Sequence, residues 1–399
     1  MKSEKTSLLG NGLLWFGAAI SIAEIFTGTF IAPLGFVKGS IAILLGHLIG
    51  CTLMYFAGLI GGITGKSAME TVKISFGGKG ALLFSALNVL QLVGWTAVMI
   101  ISGARAATII ADPLFGARAE MIWCLVIGAL IILWLLAGMK ILSTVNIFVV
   151  GALFALTVVL STVVFKNGTA GTETLAGTMS FGTAVELSAV MPLSWLPLIS
   201  DYVKRARRPK AATLVGSTAY FVGSCWMYLI GLGAAIFAGE SDIAKIMLQA
   251  GMGFVGVYII IAATVTTTFL DAFSAGVSLK TITSKIDEKW IAVIITVVGI
   301  FMAMFTPIEQ YENFLSLIGS VFAPMIAILV TDFFILKKDH TRKSFSIPNL
   351  ILWAAGFAVY RMFLNMDTVI GSTLPVMIAI SILCILMNGG RRIVQKIFR

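Results

Sequence analysis

The feature that most limits what this chain can become is a succession of twelve apolar runs, each about as long as a bilayer is thick. They occupy residues 12–36, 40–63, 81–110, 119–138, 143–165, 183–203, 211–238, 251–279, 290–306, 312–336, 348–364 and 369–388. A helix needs roughly 20 apolar residues to cross the hydrocarbon core. Inside that core no water satisfies a backbone N–H or C=O, so each run must satisfy its own, and a helix does so. The expected fold is an all-α polytopic membrane protein of 12 transmembrane helices. The eighth run is the least regular, because it holds several Thr residues and one Asp. Composition agrees. Of the 399 residues 59% are hydrophobic and 12% are charged, about half the charge of an ordinary soluble domain. Lipid must therefore be the solvent. The first run is too long for the core of a signal peptide and lacks a small-x-small cleavage site, so no cleavable leader is expected.

Twelve crossings place both termini on one side, and Lys and Arg choose which side. Of the 28 such residues, 22 fall in one set of loops and at the two ends, from Lys2 to Arg399. Only Lys38, Arg118, Lys166 and Lys245 fall in the opposite set, while Arg105 and Arg361 lie near span ends on that second side. The positive-inside rule makes both termini cytoplasmic, in a multi-pass protein of the inner or plasma membrane. The net charge of +10 then reflects topology. No basic stripe with interleaved aromatics occurs, so no nucleic-acid partner is expected. Cys51, Cys124, Cys225 and Cys384 are far apart inside apolar runs, which suits small buried hydrophobes rather than a disulfide framework or a metal site.

Ionisable groups at membrane depth are costly and mark function by default. Glu24 lies in the middle of span 1 and Asp271 in span 8. Glu186 in span 6 and His47 in span 2 are read as structural. Gly28 and Pro33 are expected to weaken span 1 next to Glu24. Span 6 carries Pro192 and Pro197, each lacking a backbone donor and clashing with an upstream carbonyl. Two interrupted helices at equivalent places in two halves point to an inverted-repeat carrier with a site near the midplane. The alternative is ordinary proline kinking. In span 8, Ala263, Thr266 and Thr267 stand at i, i+3 and i+4 and share a face. Two hydroxyls and a carbonyl are hard ligands for a small cation, and Ala19 and Ile22 of span 1 can add carbonyls. Back-bonding of the Thr hydroxyls to their own helix is the competing explanation. Asp271, one turn on, can accept from an amine or amidine or take a proton. Asn88, Gln91 and Trp95 share a face of span 3, where an amide can read a heterocycle edge and an indole can stack on its plane.

Three segments resemble the nucleobase–cation symporter-1 family. They are Gln91-Leu-Val-Gly-Trp95, Trp195-Leu-Pro-Leu-Ile-Ser-Asp201-Tyr-Val-Lys-Arg205 and Thr266-Thr-Thr-Phe-Leu-Asp-Ala-Phe-Ser-Ala-Gly276. The likeness covers nearly the whole chain and is strongest to the cytosine-permease side, in particular its hydroxymethylpyrimidine branch. It implies a LeuT-type 5+5 inverted repeat plus two peripheral helices. The first repeat would span residues 1–165, the second 166–336, and spans 11–12 with the cytoplasmic tail 337–399. It implies a planar heterocycle stacked on Trp95 and read by Gln91 and other polar groups of spans 3, 6 and 8, with Asn88, Met191, Ser194, Trp195, Thr268 and Asp271 as candidates. Glu24 could read the substrate, carry a proton or pair with a polar side chain nearby. It also implies sodium held by Ala19, Ile22, Ala263, Thr266 and Thr267, and no other cofactor. The family usually carries Asn where this chain has Thr268, Asp271 or Ala272. An Asp there favours a donor-rich edge such as the 4-aminopyrimidine of hydroxymethylpyrimidine, the thiamine precursor.

The resulting expectation is a monomeric secondary transporter in the lipid bilayer that imports a pyrimidine-type nucleobase or hydroxymethylpyrimidine by symport with Na+ or H+. Carriers of another nucleobase, or of a small amine or amino acid, are the alternatives on the same fold. An enzyme is not expected: no HExxH or GxSxG occurs, and one of the two histidines, His340, lies in a loop.

Overall fold

The computed structural model describes residues 5–115, 119–137, 139–166, 178–238, 242–249, 253–283, 285–305, 311–366 and 368–397. Lys2, Arg118 and Arg399 lie outside them, as do residues 138, 251 and 306 at expected span ends. The described chain is nearly all helix. The elements are α1 (Leu8–Ala19), α2 (Ile22–Phe30), α3 (Phe36–Thr64), α4 (Ala68–Phe76), α5 (Gly80–Phe115), α6 (Ala119–Ala137), α7 (Met139–Phe165), α8 (Phe181–Leu193), α9 (Ile199–Val203), α10 (Pro209–Gly233), α11 (Ile243–Gln249), α12 (Gly253–Lys280), α13 (Glu288–Phe305), α14 (Tyr311–Val330), α15 (Ile347–Phe363) and α16 (Thr373–Ile397). Among the described residues, eight helices are long and apolar enough to cross a membrane, or nine when α1 and α2 count as one bent span. Three shorter apolar helices, α8, α15 and the first part of α16, fall on the expected sixth, eleventh and twelfth runs.

Span 1 does break, among the small residues before Glu24 rather than at Gly28 or Pro33. The chain leaves α1 at Ile20 and turns by 50° into α2. Ser21 is extended, and its hydroxyl accepts the N–H of Glu24 at 3.3 Å. A serine that satisfies an orphan amide starts a new helix, and this one does so inside an apolar run. Gly28 serves packing instead, since a Cβ there would overlap the Tyr228 carbonyl of α10. Pro33 sits in a short 3-10 turn at Ala32–Leu34.

Span 6 breaks between its prolines. Pro192 lies in the last turn of α8, residues 194–198 form turns, and α9 starts just after Pro197. The eighth run, expected to be irregular, is one continuous helix. Two of its hydroxyls are absorbed locally: Thr266 donates to the carbonyls of Ala262 and Ala263 at 3.0 Å each, and Thr268 to that of Thr264 at 2.6 Å. Back-bonding of this kind spares a membrane helix unpaired polar groups.

Small residues bring the broken helices against their neighbours, as close packing in a membrane requires. Cβ atoms on Gly46 and Gly50 of α3 would run into the α8 backbone at Val185 and Ala189. Glu186 then ties α8 to the last two helices. It accepts from the Ser372 and Thr373 amides at 2.6 and 2.8 Å, from the Thr373 hydroxyl at 2.8 Å, and from the Tyr360 hydroxyl. On the other side of the break, buried Asp201 accepts the amide of Ala68 at the start of α4, at 2.9 Å.

Candidate functional site

Both breaks open on one internal cleft of about 320 Å³, of which only a water-sized part is free space. Its walls are Ala18, Ser21, Ala23 and Glu24 at the break in span 1, Met191, Ser194 and Trp195 at the break in span 6, Trp95 and Met99 on α5, and Thr267 and Asp271 on α12. Seven expected site residues thus meet at one place: Glu24, Trp95, Met191, Ser194, Trp195, Thr267 and Asp271.

The unpartnered groups on and near this cleft decide what it can hold; Gln91, one of them, is not on its wall. Asp271 is 3% exposed and receives no hydrogen bond or ion pair from the protein among the described residues. The Trp95 indole nitrogen, the Gln91 amide oxygen and the Thr267 hydroxyl are buried without a partner. A buried polar group left unpaired costs about 1–3 kcal/mol, so a cluster of them persists where a ligand completes it. The set offers a carboxylate and an amide oxygen as acceptors, an indole N–H as donor, and a hydroxyl that is either.

The two tryptophans are held differently. Trp195 gives its N–H to Tyr220 at 2.9 Å and meets Trp15 edge-on at 5.5 Å. Trp95 is wedged edge-on against Tyr311 and Phe314 at 6.0 and 5.6 Å. The neighbouring Gly94 lets α14 approach, because a Cβ there would lie 2.6 Å from the Phe314 ring. Gln91 donates to Asn88 at 2.9 Å and to the Ser194 carbonyl at 3.0 Å, which turns its oxygen outward from those bonds.

Other expected residues lie elsewhere. Asn88 is not on the cleft wall. It donates to the Pro197 carbonyl at 3.1 Å and to Ser278 at 2.8 Å, and so joins the break in span 6 to α12. Thr268 is buried and turned to its own helix. Of the expected sodium ligands, Ala19 and Ile22 fall on either side of the break in span 1 rather than on one helix. The Ala19 carbonyl accepts from the Ser21 amide at 3.0 Å, and Ala263 shares a buried cluster with Ile20, against which Ile22 packs. Carbonyl oxygens keep a second lone pair after one such bond.

Sequence reasoning missed Tyr220 and Ser224 of α10, which hold Glu24. Tyr220 donates to one carboxylate oxygen and Ser224 to the other, at 2.6 Å. Tyr220, Ser224 and Tyr228 recur every fourth residue, a polar stripe on one face of span 7 that was visible in the sequence.

Residues 5–382 match the family described as permease for cytosine/purines, uracil, thiamine, allantoin. The chain belongs to this family, the nucleobase–cation symporter-1 family. The cytosine permease of Escherichia coli (strain K12) is 25% identical over 369 residues, covering 90% of this chain and 85% of its own length. Among solved structures, the nucleobase–cation symporter-1 transporter Mhp1, closed with bromovinylhydantoin bound, matches with a TM-score of 0.82 at 19% identity, over 96% of this chain and 92% of that one. Its inward-facing conformation gives 0.76 at 18%, covering 96% and 90%. A Na+-coupled sialic acid symporter gives 0.67 at 14%, again covering 96% and 90%. These likenesses show the fold. The protein is a multi-pass membrane transporter and not an enzyme.

Proposed function

We propose that the protein imports a pyrimidine-type nucleobase, with hydroxymethylpyrimidine as the favoured cargo, by cation symport and alternating access. The observation that carries the cargo is the set of unpartnered groups at the cleft. Asp271 accepts on the cleft wall and Trp95 presents its ring there, while the unpaired Gln91 oxygen lies off the wall on the same helix as Trp95. A 4-aminopyrimidine presents the complement, an exocyclic amine beside a ring nitrogen, on a plane that the Trp95 ring can cover. Met191, Ser194, Trp195 and Glu24 close the other sides, while Asn88 and Thr268 act from behind the wall. The family's substrates, cytosine/purines, uracil, thiamine and allantoin, are nitrogen heterocycles, which supports the class, and Asp271 argues for an amino-substituted member. Cytosine carries the same kind of edge and is the nearest alternative.

Sodium is the proposed coupling ion, at Ala19, Ile22, Ala263, Thr266 and Thr267. The unpartnered Thr267 hydroxyl supports this reading, as does the Na+ coupling of one transporter with this fold. Twelve crossings are proposed: the nine long spans and the three shorter apolar helices. Residues 1–165 and 166–336 would be inverted repeats, with 337–399 peripheral. In support, the first span of each half is broken, and a short helix (α4, α11) follows the second span of each half. Both termini are assigned to the cytoplasm by the loop charges, and the cleft lies within one chain, in keeping with a functional monomer.

The test is thermal unfolding of the purified protein with hydroxymethylpyrimidine, cytosine, purines and hydantoins, each with and without sodium. A ligand at 100 times its Kd stabilises the protein by about 2.7 kcal/mol. The expected result is a shift with 4-aminopyrimidines that sodium enlarges. A shift with purines alone would refute the assigned cargo.

A further inference from the structure

Glu24 does more than line the cleft. Its carboxylate is the end of a hydrogen-bonded chain that runs through Ser224 of α10 to His47 of α3, and the chain's geometry fixes how many protons it holds. His47 Nδ1 lies 2.9 Å from the Ile43 carbonyl, and Nε2 lies 2.6 Å from the Ser224 hydroxyl. Ser224 in turn lies 2.6 Å from one Glu24 oxygen. Tyr220 receives the Trp195 N–H, so its own hydrogen goes to the other Glu24 oxygen. All the side chains in the chain are buried.

We infer that Glu24, Ser224 and His47 form a proton-binding site beside the substrate cleft, and that its proton is a coupling ion of transport. A carbonyl only accepts, so Nδ1 must carry a hydrogen. Two arrangements then satisfy every group. In the first, Nε2 is protonated and donates to Ser224, which donates to an ionised Glu24. In the second, Glu24 is protonated and donates to Ser224, which donates to a bare Nε2. They differ by one proton passed through the Ser224 hydroxyl, and both are neutral overall. Removing that proton leaves Ser224, with one hydrogen, facing two acceptors. Adding another leaves its oxygen facing two donors and its own hydrogen without an acceptor. Either change also places an unbalanced charge in a buried site, which costs far more than a neutral pair.

Among the described residues no basic side chain lines the cleft beside this chain. The titratable groups near Glu24 are Tyr220, Cys225 and Tyr228 of α10, Cys51 of α3 and Tyr311 of α14, and Asp271 of α12 lines the same cleft. Tyr228 also meets the His47 ring edge-on at 4.7 Å. Glu186 of α8 is turned to Tyr360 and the start of α16, Lys245 of α11 is exposed, and Arg105 of α5 pairs with Glu120 at the surface. Of the three groups, only Glu24 reaches the cleft wall, so the proton enters and leaves where the substrate does. This gives His47 a role, and it adds a second coupling site to the sodium site. It rests on the transport reading above.

The test uses purified protein in sodium-free proteoliposomes, with labelled cytosine and hydroxymethylpyrimidine and a pH gradient, acid outside. The gradient should drive accumulation in the wild type. His47→Gln and Ser224→Ala should cut that accumulation at least tenfold relative to exchange of internal for external substrate, which needs no net proton movement. Equal gradient-driven accumulation in the wild type and His47→Gln overturns the inference. If the wild type exchanges neither compound, the cargo reading fails and the proton site is read without substrate. Infrared difference spectra at neutral pH should then show either a carboxylic-acid carbonyl stretch or an imidazolium band that Glu24→Gln removes. A spectrum with neither, ionised Glu24 beside neutral His47, overturns it.

Discussion

Asp271→Asn separates a ligand-reading carboxylate from a structural one, because the two roles predict opposite outcomes. The side chain is buried, faces the cleft and is held by no protein group. Its replacement by an amide of the same shape removes no bond that supports the fold. The unfolding midpoint without ligand should therefore stay level. Binding should weaken. A hydrogen bond to a charged group contributes about 1.5–3 kcal/mol and a neutral one about 0.5–1.5, so losing the charge costs about 1.5 kcal/mol, or roughly tenfold in Kd. Binding of labelled hydroxymethylpyrimidine to purified protein gives the Kd, and thermal unfolding gives the midpoint. A lowered midpoint with an unchanged Kd would refute the assignment and make Asp271 a packing residue.

Other perturbations follow from the same geometry. Trp95→Ala should weaken pyrimidine binding by about 1–3 kcal/mol, the usual worth of a base–aromatic stack. Trp195→Ala should lower the unfolding midpoint more than it lowers affinity, since its indole is committed to Tyr220 and Trp15; the reverse order in a binding and melting comparison would mean the platforms are exchanged. Thr267→Ala should raise the sodium concentration for half-maximal substrate binding, and a wild type indifferent to sodium would remove that site. Glu70, outside the spans, tests the cap of α4. Burial pushes its carboxyl up, but the Ser67 amide and hydroxyl, with Lys204 and Lys73, outweigh this and hold it below the usual value. A lowered folded value contributes stability above the unfolded value of about 4.3 that is lost as the pH falls through the folded value. The midpoint of the wild type should therefore drop on acidification below that point by more than that of Glu70→Gln, and parallel curves would dismiss the cap.

Much of this was legible in the sequence, for specific reasons. Apolar run length is a direct consequence of bilayer thickness, so the long spans stood out. Pro192 and Pro197 announced the break in span 6 because a missing donor is a local fact. The break in span 1 was misplaced because Ser21 does not break a helix by itself; it does so only when its hydroxyl caps a new one. Span 8 was misjudged in the opposite sense, because Thr266 and Thr268 return their hydroxyls to their own helix and keep it regular. The partners of Glu24 were hidden for another reason. Tyr220 and Ser224 lie some two hundred residues away, and one sequence carries no sign of which helices will face each other.

The buried polar groups of this chain divide by whether the protein completes them. Glu186, Asn88 and one oxygen of Asp201 bond to backbone groups elsewhere and mark joints, α8 to α16, the span 6 break to α12 and α9 to α4, while Thr268 is satisfied within its own helix. Asp271, the Trp95 nitrogen and the Thr267 hydroxyl are incomplete and meet on the wall where the two broken helices come together, with the Gln91 oxygen nearby on α5; other unpaired groups, such as the Ser217 hydroxyl and Asp201 Oδ2, lie elsewhere. The breaks explain both sets. An unwound segment frees amides and carbonyls that must be capped from neighbours, which builds the joints. It also stops a helix from filling the space between α5 and α12, which leaves their inward polar groups without a protein partner. In a membrane such groups are too costly to keep unless something else binds them for part of a cycle, so the same interruption that bends the helices also creates the demand for a substrate.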